Sequence, residues 1–312
     1  MTVPTEWSLA LPTLDPLRAG MVPVRDAAQA AEDLGYDGLW VGDHLFFRVP
    51  ILECLTAASY ALGATRRIGV GSGVLLPALR EPIVLAKQLA SIACMADGRF
   101  SLGVGVGGEF SDEWDAVGVS LKERGSRTDE FLDLWREWVR GDRIEHEGRH
   151  WTFSAPRLSP APSEHAVPPI WVGGRSGAAL ARTIRVGGGW LGMLASPDRI
   201  HQVAEELARR AEDAATAVPK IGLIIFVRVG EGSDDHREIA DYTHANFGSP
   251  PEKLQRWTIS GSAESVAQQL GRYQAAGVST FVIHAASRDP IGQFAKIREA
   301  VELVATAGTR HA

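Results

Sequence analysis

The chain has 312 residues, 45% hydrophobic and 22% charged, with a formal net charge of −6, so it has length for a large core and no basic surplus for a nucleic-acid or anionic-membrane surface. No apolar run reaches the ~18–20 residues that span a bilayer, and no basic stretch followed by an apolar one marks a signal peptide. Cys54 and Cys94 both fall inside apolar helical patterns, which points to buried reduced thiols and a cytoplasmic compartment rather than to a disulfide framework or a metal site.

In chain order, Trp7–Leu11 predicts a first strand that Pro12 ends, and Val24–Leu34 a helix with Ala27, Ala28, Ala31 and Leu34 inward. After a turn at Gly35-Tyr36-Asp37-Gly38, Leu39-Trp40-Val41 is a second strand leading into Gly42-Asp43-His44, and Leu52–Ala64 a second helix. Ile68–Ser72 is the third strand. Glu81-Pro82 opens the next helix, with proline in the first turn, where its missing N–H is harmless. Ile83, Leu85, Ala86, Leu89, Ile92 and Ala93 recur there at spacings of three and four and form its buried face. Asp97-Gly98 turns the chain into a fourth strand, Phe100–Val104, which runs into Gly105, Gly107 and Gly108.

Ser126–Val139 reads as a long helix, with Ser126 as N-cap and Asp129 three positions on, and with Phe131, Leu134, Trp135 and Trp138 on one face. Ile144–Phe153 alternates about Glu147-Gly148 and predicts a hairpin; the Pro-, Ser- and Ala-rich stretch Ser154–Pro169 is a surface connection. Ile170-Trp171-Val172 is a fifth strand, followed by Gly173-Gly174-Arg175-Ser176 and a helix to Arg185. Trp190–Met193 and Lys220–Val229 are the sixth and seventh strands, with a helix over Pro197–Ala214 between them. Gly232–Ile259 reads as a helical insertion in two pieces. A helix over Ala263–Ala276, an eighth strand at Thr280–Ile283 and a helix over Pro290–Ala305 complete the chain.

Eight strand–helix pairs without a break in the alternation demand parallel strands joined by crossover helices. Over this length the expectation is an α/β fold, a (β/α)₈ TIM barrel forming one domain over residues 1–312, with insertions after strands 4 and 7. Ligands then bind where the strands end.

Gly103-Val104-Gly105-Val106-Gly107-Gly108 satisfies GxGxxG in form only, because a dinucleotide fingerprint opens a helix at once, and here Glu109-Phe110-Ser111-Asp112-Glu113 follows. These glycines either let the backbone pass close to a flat ligand or thin a strand to fit its layer. Gly71-Ser72-Gly73-Val74 carries the same two readings. Gly173-Gly174-Arg175-Ser176 lies between a strand and a helix start, where free N–H groups, the helix dipole and a hydroxyl suit a phosphate, although Ser176 is equally suited to plain N-capping. His44 ends the second strand and can hold a loop or manage a proton; Asp43 is read as fixing that loop. Glu109 is either an acid–base group or a solvated loop carboxylate. Arg124 and Arg127 lie beside Glu123, Asp129 and Glu130 and default to surface ion pairing. With no HExxH or paired-cysteine ligand set, no GxSxG elbow and no Walker loop, the chemistry must come largely from a bound cofactor.

AEDLGYDGLWVGDH, GSGVLLPALREPIVLAKQLA, GRFSLGVGVGGEF, ERGSRTDEFLDLW and PPIWVGGRSGAALARTIRVGGGW, with GSAESVAQQLGRYQAAGVSTFVI near the end, follow one another in the order of a known family. The chain resembles the luciferase-like monooxygenase superfamily, barrel oxidoreductases that use reduced FMN or the deazaflavin coenzyme F-420. The resemblance implies a non-prolyl cis peptide at Gly73-Val74 beneath the cofactor ring, a phosphate site at Gly173, Gly174 and Ser176, and His44 near the reactive ring edge. From the glycine loops themselves, Ser72, Gly105 and Gly107 are read as further cofactor-binding residues, and Arg175 favours the phosphate reading of its turn. Glu109 lies near the catalytic carboxylate of the deazaflavin sugar-phosphate dehydrogenases, offset by one extra glycine. Those enzymes carry a tryptophan just after the histidine, where this chain has Phe46, Phe47 and Arg48, so sugar-phosphate specificity is not carried over.

The motif style favours coenzyme F-420 and hydride transfer, with FMN and oxygen chemistry as the alternative. A cofactor-binding relative without turnover is a second alternative; a barrel lyase or isomerase would need a lysine or metal cluster at the strand ends. A small-molecule substrate is implied, in a pocket built from the loops after strands one, two, four and seven. A homodimer is also implied, with the helices bearing Cys54 and Cys94 as contributors.

Overall fold

Short runs rich in Val, Ile, Leu and Trp alternate with helix-forming stretches. In the computed structural model, which describes residues 4–308, the runs are strands and the stretches helices. The first half contains β1 (Glu6–Ala10), α1 (Val24–Asp33), β2 (Gly38–Val41), α2 (Cys54–Ala64), β3 (Gly69–Ser72), α3 (Pro82–Ala96) and β4 (Phe100–Val104). Next come α4 (Asp112–Ala116), α5 (Arg124–Trp138), and a hairpin of β5 (Ile144–Glu147) and β6 (Thr152–Ala155). Then follow β7 (Ile170–Gly173), α6 (Gly177–Val186), β8 (Gly189–Met193), α7 (Pro197–Asp213) and β9 (Lys220–Val229). The chain finishes with α8 (Ser233–Phe247), α9 (Pro251–Leu254), β10 (Thr258–Gly261), α10 (Ala263–Ala275), β11 (Thr280–Ala285) and α11 (Pro290–Gly308).

Strands β1, β2, β3, β4, β7, β8, β9 and β11 pair in that order, all parallel, and β11 returns to β1. The expected eight-stranded parallel TIM barrel is therefore closed. Extra segments follow the fourth and seventh barrel strands, β4 and β9. Among the described residues, no helix is long and apolar enough to cross a membrane.

The barrel interior explains where the glycines fall. Ala10, Trp40, Trp171, Leu191, Ile224 and Val282 form one buried cluster, each from a different barrel strand. The two remaining strands, β3 and β4, place glycines opposite the indoles. A Cβ on Gly71 would lie 2.8 Å from the Trp40 ring, and one on Gly103 would lie 2.1 Å from the Ser72 carbonyl oxygen. Trp40 and Trp171 meet edge to face at 5.6 Å, and Gly189 gives Trp171 its space in turn. Large side chains fill the layer only because their neighbours have none, which is how a close-packed core reaches crystal-like density. For Gly71 and Gly103 the layer-fitting reading therefore holds, and no ligand needs to be invoked.

Several boundaries differ from the sequence reading. Thr258 and Ile259, read as the end of a helical insertion, instead open β10, whose residues Thr258–Gly261 pair with Phe226–Val229 of β9. Four residues are too few to show a period. Ile83 is exposed at 43%, because the buried stripe of α3 runs through Pro82, Leu85, Ala86, Leu89, Ala90, Ala93 and Ala96 and Ile83 sits one position off it. α2 begins at Cys54 rather than Leu52, capped by the Glu53 carboxylate accepting from Thr56 N–H. α5 begins at Arg124, so Ser126 lies inside it and its hydroxyl donates to the Glu123 carbonyl. Cys54 is buried, whereas Cys94 is only partly so. Leu34 caps α1 and packs partly buried against the core.

Two glycine substitutions test this packing. Gly103→Ala drives a methyl into backbone and should destabilise the barrel by about 1–3 kcal/mol or more in chemical denaturation. Gly63→Ala, on α2 with nothing within 4 Å of its new methyl, should stabilise it by about 0.5 kcal/mol.

Candidate active site

The carboxyl ends of the strands open into one cavity of about 280 Å³. Every barrel strand, or the segment following it, contributes to its wall: Leu14 after β1, His44 after β2, Val74 after β3, Gly105 after β4, Gly173 at the end of β7, Met193 on β8, Ile224 on β9 and His284 on β11. The segments after strands one, two, four and seven contribute, and so do those after the third, fifth and sixth; the eighth strand contributes through His284 on β11 itself.

The loop after β2 is fixed by charge. Asp43 is buried and accepts from the Leu76 N–H at 2.9 Å, while its two carboxylate oxygens take Arg80 Nη1 and Nη2 at 2.7 and 2.8 Å. Arg80 reaches on to Glu53 at 2.9 Å. Burial works against the charge of Arg80, but the Asp43 carboxylate beside it prevails and raises its pKa. Burial likewise opposes the charge on Glu53, yet the Thr56 N–H and Arg80 hold its carboxyl below the usual range. Asp43 thus ties the loop after β2 to the loop after β3.

His44 is oriented by a carboxylate that sequence reasoning missed. Its Nδ1 lies 2.9 Å from Glu113 Oε1, and the other Glu113 oxygen accepts from the Leu45 N–H at 3.2 Å. Glu113 is fully buried because its neighbour Trp114 inserts into the cluster of Leu76, Ala78 and Leu79 and pulls the short α4 down with it. A carboxylate at Nδ1 takes that nitrogen as donor and leaves Nε2 as the free one. Phe47 stacks on the imidazole at 4.0 Å and 15°. Glu109 is exposed at the cavity rim, where its carbonyl accepts from Arg48 at 2.9 Å; the carboxylate touching His44 is Glu113, not Glu109. The only sequence signal for Glu113 was its place in the same acidic run.

Val74 stands between two glycines. The Gly73–Val74 peptide is cis, and neighbouring strands pin the segment: Gly73 N–H donates to the Val41 carbonyl at 2.7 Å, Leu75 N–H to Gly103 at 2.8 Å, and Gly105 N–H to Leu75 at 2.8 Å. A Cβ on Gly105 would lie 2.4 Å from Val74 Cγ2, and one on Gly173 would lie 3.1 Å from Cγ1. Gly107, at φ +55°, similarly clears Leu76. These glycines make room for a side chain of the protein that itself reaches the cavity, a refinement of both readings drawn from sequence. Ser72 is buried, donates to the Gly103 carbonyl at 2.8 Å and does not line the cavity.

On the next wall Gly173, Gly174 and Arg175 line the cavity. Gly174 has φ +122°, and Trp190 Nε1 donates to its carbonyl at 2.7 Å, so the turn is held open at the start of α6. Ser176 caps α6, accepting from the Ala179 N–H, and is exposed beside the cavity rather than on its wall. Arg127 pairs with Glu123 at 3.2 Å, the surface role expected for it, while Arg124 packs under the Gly108 turn.

His284 was not singled out from the sequence. Its register partner on β9 is Phe226, and the two rings stack at 4.6 Å. Burial lowers its pKa to about 4, so it is a neutral imidazole at ordinary pH.

The model of the luciferase-like monooxygenase family matches residues 19–248. The chain belongs to the luciferase-like monooxygenase family. The chain is 27% identical over 301 residues to an F-420-dependent glucose-6-phosphate dehydrogenase of Nocardia farcinica, covering 85% of this chain and 88% of that one. Among solved structures, an F-420-dependent secondary alcohol dehydrogenase in complex with an F-420–acetone adduct superposes with a TM-score of 0.83 at 18% identity, over 96% of this chain and 99% of that one. A monooxygenase of Streptomyces bottropensis superposes with a TM-score of 0.82 at 18% identity over the same shares. These two likenesses concern the fold.

Asp43→Ala should destabilise this family member by about 3–5 kcal/mol, because Arg80 is left buried without its main partner; urea unfolding measures it. For His284, the unfolded chain binds a proton near the ordinary pKa of about 6.5 and the folded chain only near 4. Between those values the unfolded state holds more protons, so stability falls as pH drops from 6.5 to 4. His284→Phe should remove that part of the slope, on the order of 3 kcal/mol, in denaturation series across this window.

Proposed function

We propose that this protein is an F-420-dependent oxidoreductase that moves a hydride between the deazaflavin and a small organic substrate. The observation that carries the reading is Val74, set between Gly105 and Gly173, with His44 to one side and the Gly173–Arg175 turn to the other. The residues fit a flat ring with an anionic tail. Val74 supplies an apolar support in the middle of the cavity, Gly174 and Arg175 with the start of α6 suit a phosphate, and His44 keeps one ring nitrogen free. Bound there, the coenzyme supplies a ring carbon that gives or takes a hydride.

The chain's own residues would then do three things. Asp43 and Arg80 hold the loop that carries His44. Glu113 holds the imidazole with Nδ1 as donor, leaving Nε2 to take or give the proton that accompanies hydride transfer. Phe47, stacked on the imidazole, limits its rotation and shields it from water. The choice of F-420 over FMN rests on the dehydrogenase of Nocardia farcinica, which is similar along most of both chains. The reading does not extend to its sugar phosphate, because the tryptophan that the sugar-phosphate dehydrogenases carry just after the histidine is replaced here by Phe46, Phe47 and Arg48.

Separate titrations of the purified protein with F-420 and with FMN, followed by fluorescence quenching, test this choice. F-420 should bind more tightly; preference for FMN would overturn the hydride-transfer reading in favour of oxygen chemistry. Ser176→Asp keeps a good N-cap but places a negative charge beside the proposed phosphate, and should weaken coenzyme binding at least tenfold while leaving the melting temperature unchanged. Unaltered affinity would remove the phosphate assignment.

A further inference from the structure

The cavity has two halves of different chemistry. Its charged lining residues, Asp43, Arg48, Glu109 and Arg175, all come from the segments after β2, β4 and β7. From β8 onward the lining contains no charged side chain. It is built on Met193, Ile224, Phe226 and Phe247, and the polar groups among them are Asn246 and His284. Met193 joins the two regions, packing against the layer that supports Val74 and against the cluster around Phe226.

Asn246 is 94% buried, with 6% of its surface exposed, and its Oδ1 has no hydrogen-bond partner. The arrangement is not an accident of a loose loop. Ile239, Tyr242 and Asn246 share one face of α8 at spacings of three and four, and the first two pack on Phe226, which turns Asn246 toward the cavity it lines. His284 is the second polar group, stacked on Phe226 and with no hydrogen-bond partner among the described residues. Burial keeps it neutral, so it offers one N–H donor and one acceptor. Leu194, at φ +54°, lines the same half, a left-handed conformation that a leucine rarely holds and that clusters at ligand sites. A buried amide oxygen without a partner is unfavourable for folding alone.

We infer that this half of the cavity is the substrate subsite, and that it takes an uncharged, largely hydrocarbon molecule with one hydroxyl head. The hydroxyl donates to Asn246 Oδ1 and accepts from the His284 N–H, filling the two open valences at once. The hydrocarbon body lies against Met193, Phe226 and Phe247. An ionic substrate is rejected because no opposite charge faces it there, and burial of an unpaired charge is strongly unfavourable. The assignment rests on the oxidoreductase reading only in calling the occupant a substrate; the pocket chemistry stands on its own.

Binding to the full chain, loaded with whichever of F-420 or FMN it takes up, tests the inference by ligand-observed NMR. Cyclohexanol is the probe, with cyclohexanecarboxylate and cyclohexylammonium as ionic controls. Cyclohexanol should bind at least tenfold more tightly than either ion. Asn246→Leu should weaken it about fivefold or more, leave coenzyme affinity within twofold, and keep or raise the melting temperature, because an unsatisfied buried polar group has been replaced by a side chain of similar shape. His284→Phe should weaken cyclohexanol similarly. Equal binding of the carboxylate, or cyclohexanol affinity unmoved by both substitutions, would overturn the subsite. A melting temperature lowered by Asn246→Leu would assign the amide to folding and overturn its role as a ligand group. If neither coenzyme binds but cyclohexanol still binds in an Asn246-dependent way, the subsite stands and the coenzyme reading falls.

Discussion

The Val74 side chain reaches the cavity because residues 105 and 173 have no side chain to block it. That steric constraint governs much of the rest. It requires glycine at the ends of two barrel strands, β4 and β7, and these are the strands whose following loops carry Glu109 and Arg175 to the cavity. One layer deeper the same trade recurs, with Trp40 set against Gly71 and Gly103, and Trp171 against Gly189. The barrel is filled by a few indoles and emptied beside each of them. Its floor is therefore rigid where a flat ring would lie.

Electrostatics fixes the rim as sterics fixes the floor. Asp43 and Glu53, near the two ends of the segment after β2, share Arg80 from the segment after β3, and Glu113 reaches His44 from α4. Each acid is buried or half-buried against a partner, so the histidine is held from both ends of its loop. Preorganisation of this kind fixes the imidazole in place before any ligand arrives. Arg48 adds a cross-tie, donating to the Glu109 carbonyl and lying against Gly248 at the end of α8. The mouth is thereby bridged between the fourth and seventh units, the two that carry insertions.

What the sequence disclosed follows from what periodicity and motif can carry. The barrel was legible because eight apolar runs alternate with helical ones, and that pattern survives small boundary errors. β10 was hidden, since Thr258–Gly261 is too short to announce a period and gains its place only by pairing with β9. Glycine clusters announced the mouth but not their reason: only coordinates reveal that Gly105 yields to Val74 and Gly103 to the Ser72 carbonyl. Ser72, read together with the glycines around it, donates to the Gly103 carbonyl, and Ser176, read as a phosphate group or a plain N-cap, accepts from the Ala179 N–H. Glu113, Asn246 and His284 belong to the site through contacts spanning tens of residues or through helix-face geometry, and no local motif encodes such partnerships.

The division of the cavity into a charged and an apolar half has a topological origin. Strands β3 and β4 are thinned by glycine, so their side of the mouth is shaped by loops, and loops carry the charges. Strands β8, β9 and β11 reach the wall with side chains of their own, Leu191, Met193, Ile224, Phe226 and His284. Asn246, on α8 in the segment after β9, and His284, on β11, are the polar groups of that side, and Asn246 Oδ1 has no hydrogen-bond partner there. Leucine there would fill the same space without a buried unpartnered oxygen, whereas the amide lies on the cavity wall, where the proposed hydroxyl would complete it.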